Sequence, residues 1–132
     1  MSSFSDYTEN LVLTWLFTTS SATRPTAWYV GLFTGAPSDT GGGTEVSGNG
    51  YARVATGTMS VSGTTPTTAT NGSAIEFAAA SGGNWGTITH AAIYDAATGG
   101  NLIAWGALTT SRTINDGDVF RIPAGSLDVT LT

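Results

Sequence analysis

The stretch WYVGLFT, residues 28–34, is apolar at odd and even positions alike. A strand with that pattern has no side to turn towards water, so the sheet it joins must be covered on both faces. The chain offers short strands to do the covering. Residues 51–56 and 58–62 alternate and are split by Gly57, and residues 73–79 set Ile75 and Phe77 on one face with Glu76 opposite. Residues 87–94 and 102–108 flank DAATGGN, a polar, Gly-rich link typical of a hairpin loop. Residues 119–122 follow Asn115-Asp116-Gly117-Asp118, and residues 127–131 alternate Leu, Val, Leu against Asp128 and Thr130. About eight strands at this spacing predict a mainly β chain, a single-domain antiparallel β-sandwich or jelly roll over 1–132. Residues 62–73, SGTTPTTATNGS, are low in apolar content and read as a long exposed loop.

One short N-terminal helix is expected at about 6–18. Asp6-Tyr7-Thr8-Glu9 has the spacing of a capping box, with Asp6 accepting from the first turn and Glu9 reaching back. Tyr7, Leu11 and Trp15 recur at i, i+4 and i+8 beside Val12 and Leu16, a stripe that would bury on a partner surface. The residues from Thr18 to Ser21 and Arg24-Pro25 end it.

Charge narrows the partners. Only 10% of the residues are charged, against about 25% in an average protein. Four arginines and no lysine face nine acids, for a net charge of −5. The arginines are scattered and form no basic patch, which argues against nucleic acid and anionic membranes. A surface of Thr, Ser, Gly and Asn suits lying against another protein. The chain lacks cysteine, so disulfides and thiolate metal sites are out of reach. No apolar run approaches the roughly 20 residues that span a bilayer, so membrane insertion is not expected. The N-terminus has no basic region before its apolar part and does not read as a signal peptide.

No chemical motif emerges. GGGTEVSGNGYAR, residues 41–53, is glycine-rich but opens a strand rather than a helix, and the chain has no lysine to meet a phosphate. It reads as a loop and turn, with Tyr51 and Arg53 on the same side as candidate contact residues. His90, the one histidine, sits mid-strand and reads as a packed or interface residue. No G-x-S-x-G elbow presents a nucleophile, and nothing in the spacing of Asp39, Glu45, Glu76, Asp95, Asp116, Asp118 and Asp128 selects a catalytic pair. Residues 115–118 fail the EF-hand pattern and read as a β-turn held by the Asn115 and Asp116 side chains. No catalytic residue, cofactor or metal is expected. Of the four tryptophans, Trp15 and Trp28 read as core. Trp85, between Gly82-Gly83-Asn84 and Gly86, is the best exposed candidate for stacking on a sugar or anchoring a protein partner.

The segments WYVGLFTGAPSDTGGGTEVSGNGYAR (28–53) and NWGTITHAAIYDAATGGNLIAWGALTTSRTINDGDVFRIPAGSLDVTL (84–131), in that order, resemble a family of short tailed-bacteriophage proteins commonly labelled tail fibre proteins. With the N-terminal helix the resemblance covers most of the chain and leaves 54–83 as the divergent part. It implies a virion structural protein without catalysis, made in the host cytoplasm, that contacts other virion proteins. Tail-attached fibre or adaptor and capsid decoration protein both fit, and a module binding a host surface glycan is the alternative from another class. A homo-oligomer, with a trimer as one form, is expected by analogy. The candidate contact residues are Tyr7, Leu11, Trp15, Tyr51, Arg53 and Trp85.

Overall fold

The computed structural model describes residues 3–131. In chain order the elements are β1 (Ser3–Phe4), α1 (Asp6–Phe17), β2 (Tyr29–Gly35), β3 (Thr44–Glu45), β4 (Val54–Ala55) and β5 (Met59–Ser62). They continue with β6 (Thr67–Asn71), β7 (Ile75–Glu76), β8 (Gly86–Tyr94), β9 (Leu102–Ile114), β10 (Arg121–Ile122) and β11 (Asp128–Leu131). All strand pairs are antiparallel. The main sheet runs β1-β9-β8-β2-β3, with β4 also on β2; β11-β6-β5 forms a second sheet, and β10-β7 a two-stranded ribbon. The fold is a mainly β sandwich with one short N-terminal helix.

The doubly apolar stretch behaves as its pattern requires. Val30 and Leu32 of β2 enter the main core with Ile75, Phe77, Trp85, Ile88 and Ile93. Phe33 enters a smaller cluster with Ala92 and Leu102 on the sheet's other face, where it stacks on Tyr94. That outer cluster is tied to the loop between β2 and β3. Trp105 Nε1 donates to Asp39 Oδ1 at 2.9 Å, and the Asp39 carbonyl accepts from Asp6 N at 3.0 Å. The loop turns back on itself at Gly43 (φ 76°), where a Cβ would sit 2.7 Å from Pro37 N, so only glycine fits there.

The sequence readings need four corrections. The described residues form eleven strands rather than about eight, because β1, β3 and β6 carry too little apolar alternation to be read. Residues 62–73 are not one exposed loop: β6 is the central strand of the second sheet, paired with β5 and β11. Its threonines are β-branched and favour a pleated, half-buried surface without being apolar. It ends at Asn71, which is buried, donates to the Ser73 and Pro123 carbonyls and accepts from Leu127 N. The helix cap is Ser5, not Asp6. Its backbone is extended, its hydroxyl accepts from Thr8 N at 3.2 Å, and the same hydroxyl donates to the Leu102 carbonyl, so β9 selects the cap. Asp6 and Glu9 sit in the first turn, where negative charge suits the helix dipole. Finally, β9 runs on to Ile114 through a Thr- and Ser-rich stretch that shows no alternation.

Candidate functional site

Residues 41–53 form a fastening within the chain. Glu45 on β3 lies opposite Phe33 of β2, and the turn after it is closed by Tyr51 N donating to the Gly48 carbonyl at 3.0 Å. The chain then returns so that Tyr51 and Arg53 both reach the Glu45 carboxylate. The Tyr51 hydroxyl donates to Oε2 at 2.7 Å and accepts from Leu32 N at 2.9 Å. Arg53 grips the same carboxylate bidentately, Nε to Oε2 and Nη2 to Oε1, both at 2.8 Å. Its Nη1 donates to the Ala96 and Gly99 carbonyls of the β8–β9 loop, at 3.0 and 2.8 Å. The guanidinium carbon lies 3.7 Å over the Tyr94 ring centre. Gly31 makes the room: a Cβ there would sit 2.8 Å from Glu45 Oε2.

This packing sets the protonation states. Burial pushes the Glu45 carboxyl up, but hydrogen bonds from Arg53 and Tyr51 and the Arg53 charge outweigh it and hold the carboxyl below its ordinary value. Burial, then the hydrogen bond to Glu45, pushes the Tyr51 hydroxyl well above its ordinary value. The hydrogen bond to Glu45 raises Arg53 further. The cluster is therefore a carboxylate, a neutral phenol and a guanidinium, each engaged by the others. The Arg53 side chain is 9% exposed, so its chemistry is spent inside the chain.

Trp85 is likewise internal. The sequence makes it the best exposed candidate for stacking on a sugar or anchoring a partner, yet it is 6% exposed and belongs to the main core. The glycines before it bring the chain inward: Nε1 donates to the Asn49 carbonyl at 2.9 Å, and the ring meets Tyr51 edge-on at 5.4 Å. His90 is half-buried beside Trp105, with Nδ1 2.8 Å from the Thr89 hydroxyl. Residues 115–118 form a turn in which Asp118, not the Asn115 or Asp116 side chain, bonds the turn backbone at Asn115 N. No group of three or more His, Asp or Glu side chains that could hold a metal occurs among the described residues.

The helix shows the opposite character. Only its first turn is fastened: Thr8 is its buried residue, and the Thr8 hydroxyl donates to the Ile103 carbonyl at 2.7 Å. Tyr7 and Leu11 are half-buried. Trp15, expected in the core, is 67% exposed, and Val12, Leu13, Leu16 and Phe17 are exposed with it. Phe17 reaches 78%. At 3.6 residues per turn, residues 12, 13, 15, 16 and 17 cover an arc of about 200°, wider than a single stripe, with half-buried Tyr7, Leu11 and Thr14 on the remaining side, and so broad an apolar face is normally a covered one. No helix among the described residues is long and apolar enough to cross a membrane.

A second apolar feature was not legible beforehand. Between the main sheet and the β11-β6-β5 sheet lies an open groove of about 670 Å³, walled by Phe4, Trp28, Ile103, Val61, Val129 and Leu131, with Arg24 at its side. Its residues come from eight separate elements and connections, so no local pattern announces it.

A search of curated proteins gives no match to this chain. The family described as Podophage GP4 fiber I protein gp80 matches over residues 3–130, which takes in 54–83 as well as the segments on either side. A match over nearly the whole chain shows the family: the chain belongs to these phage fibre proteins.

Proposed function

We propose that this chain is a non-enzymatic structural component of a tailed-phage virion, attached at the tail as a small fibre or adaptor-type piece and acting through protein–protein contacts. The observation that carries the reading is the outer half of α1. Five large apolar side chains stand in water there, on a chain with few charges. Moving one such side chain from water into a packed contact contributes about 1.5–3 kcal/mol. A handful of them is enough to hold a subunit in an assembly once the ordering costs are met. The one tight cluster of ionisable side chains among the described residues is engaged within the chain, since Glu45, Tyr51 and Arg53 hold one another, and Trp85 has no free face to offer a sugar.

Immunogold labelling of purified virions with antibody against this chain tests the placement. Label on the tail or its appendages is the expected result. Label spread over the head would replace the tail reading with capsid decoration. No label on intact or detergent-opened particles would remove the virion reading altogether.

A further inference from the structure

We infer that the exposed half of α1 docks into the apolar groove between the two sheets of a second copy of this chain, so that copies join helix into groove. The inference rests on the reading above, that the protein works through protein contacts, and names the partner of one of its surfaces.

Four observations carry it. The exposed large hydrophobics of the described residues fall almost entirely in two places. Val12, Leu13, Trp15, Leu16 and Phe17 are on α1, Val61 and Leu131 line the groove, and Val119 alone lies elsewhere. The shapes match as well. An exposed apolar face about 200° wide is too broad for a flat surface to cover, whereas a groove closes on two sides of it. Within one chain the two features do not meet, since no α1 residue lines the groove.

The charges are also complementary. Arg24 is the one charged residue of the groove, and the single ion pair among the described residues is Arg53–Glu45, which leaves Arg24 without one. The helix carries Asp6 and Glu9 and no basic residue in its last turn. Its C-terminal carbonyls, with their partial negative charge, therefore have no side-chain cation of their own. A guanidinium at the groove of the next copy supplies one. Because each copy both gives a helix and receives one, the contact builds reciprocal pairs, closed rings or an open row of copies, according to the rotation between neighbours, without any further component.

The test uses the full chain and four variants. Leu16→Glu places a charge on the exposed helix, and Val61→Glu places one at the groove; both positions are exposed, so the fold is expected to hold, with unchanged circular dichroism as the control. Light scattering after size exclusion should show an oligomer for the wild type and at least tenfold weaker self-association for each variant. Mixing the two variants should restore a one-to-one heterodimer, because one intact helix then meets one intact groove.

The chain has no cysteine, which permits a second readout that does not depend on destabilising anything. Phe17→Cys in one chain and Val61→Cys in another should form a disulfide-linked pair on mixing under mild oxidation. Each single variant alone should give far less. A wild type that stays monomeric, a Val61→Glu variant that assembles like the wild type, or a mixture that restores nothing would overturn the inference. Virion labelling separates the two levels: tail label that persists for Val61→Glu particles, beside a monomeric wild type, sinks helix-into-groove docking and leaves the structural reading standing.

Discussion

The Glu45–Tyr51–Arg53 cluster and the outer half of α1 invert what their sequences advertise. The first is built from polar groups at the surface of a Gly-rich segment, the usual composition of a binding loop. Every one of those groups faces inward and is taken up by another. The second is built from Leu, Trp and Phe at helical spacing, the usual composition of a core, and it stands in water. Polarity is thus a poor guide to availability in this chain. What decides it is whether the rest of the fold supplies a partner at the right distance.

The largest break of the contrast should come from Arg53→Ala. It removes a bidentate partner from a mostly buried carboxylate and frees two loop carbonyls, and losses of this kind cost about 3 kcal/mol. Equilibrium urea unfolding should register the loss while the assembly state below the transition stays as in the wild type. A change of assembly state in the folded variant would show that the cluster also serves a partner.

Gly31→Ala comes next. The added Cβ would sit 2.8 Å from Glu45 Oε2 and push the carboxylate off its seat, at about 2 kcal/mol for an overpacked position. An unchanged unfolding midpoint would mean that the carboxylate has room to move and that the seat is looser than its distances imply.

Acid should have a smaller, graded effect. The folded Glu45 carboxyl titrates below its ordinary value of 4.5. Its contribution to stability is therefore in place above that value and is lost as pH falls through the lower, folded one. A Glu45→Gln variant, compared with the wild type across that window, should lack this part of the acid slope. Identical slopes would detach the carboxylate from the stability of the fold.

The smallest effect on stability belongs to Trp15→Ser, within about 0.5 kcal/mol, because an exposed side chain with no partner is being trimmed. Self-association should nevertheless fall. A large loss of stability instead would mean that Trp15 packs within its own chain in solution, and the contrast would collapse.

How much could be read in advance follows from where the information sits. The doubly apolar β2 states its burial in seven consecutive residues, and the structure places it between two clusters. The β8–β9 hairpin is legible from DAATGGN for the same reason: Asp95 accepts from Asn101 across the loop, six residues away. The fate of β6 was hidden because Thr67–Asn71 owes its strand to pairing on both sides, which its own composition does not record. Glu45, Tyr51 and Arg53 lie within nine residues, but their meeting depends on the missing side chain at Gly31 and on carbonyls more than forty residues away. The groove is further still from any local signal, since it exists only where two sheets fail to close.

One consequence follows from the way α1 is held. Ser5 and Thr8 tie its first turn to the Leu102 and Ile103 carbonyls, and nothing comparable holds its last. A rod clamped at one end is stiff at the root and free to fray at the tip, so whatever covers the tip must also freeze it. Calorimetry of association should then read two overlapping signals, a negative heat-capacity change from the apolar surface removed from water and an entropic penalty from the turn that becomes ordered. The clamp at Ser5 fixes where the arm starts, and the last turn is left to be set by its neighbour.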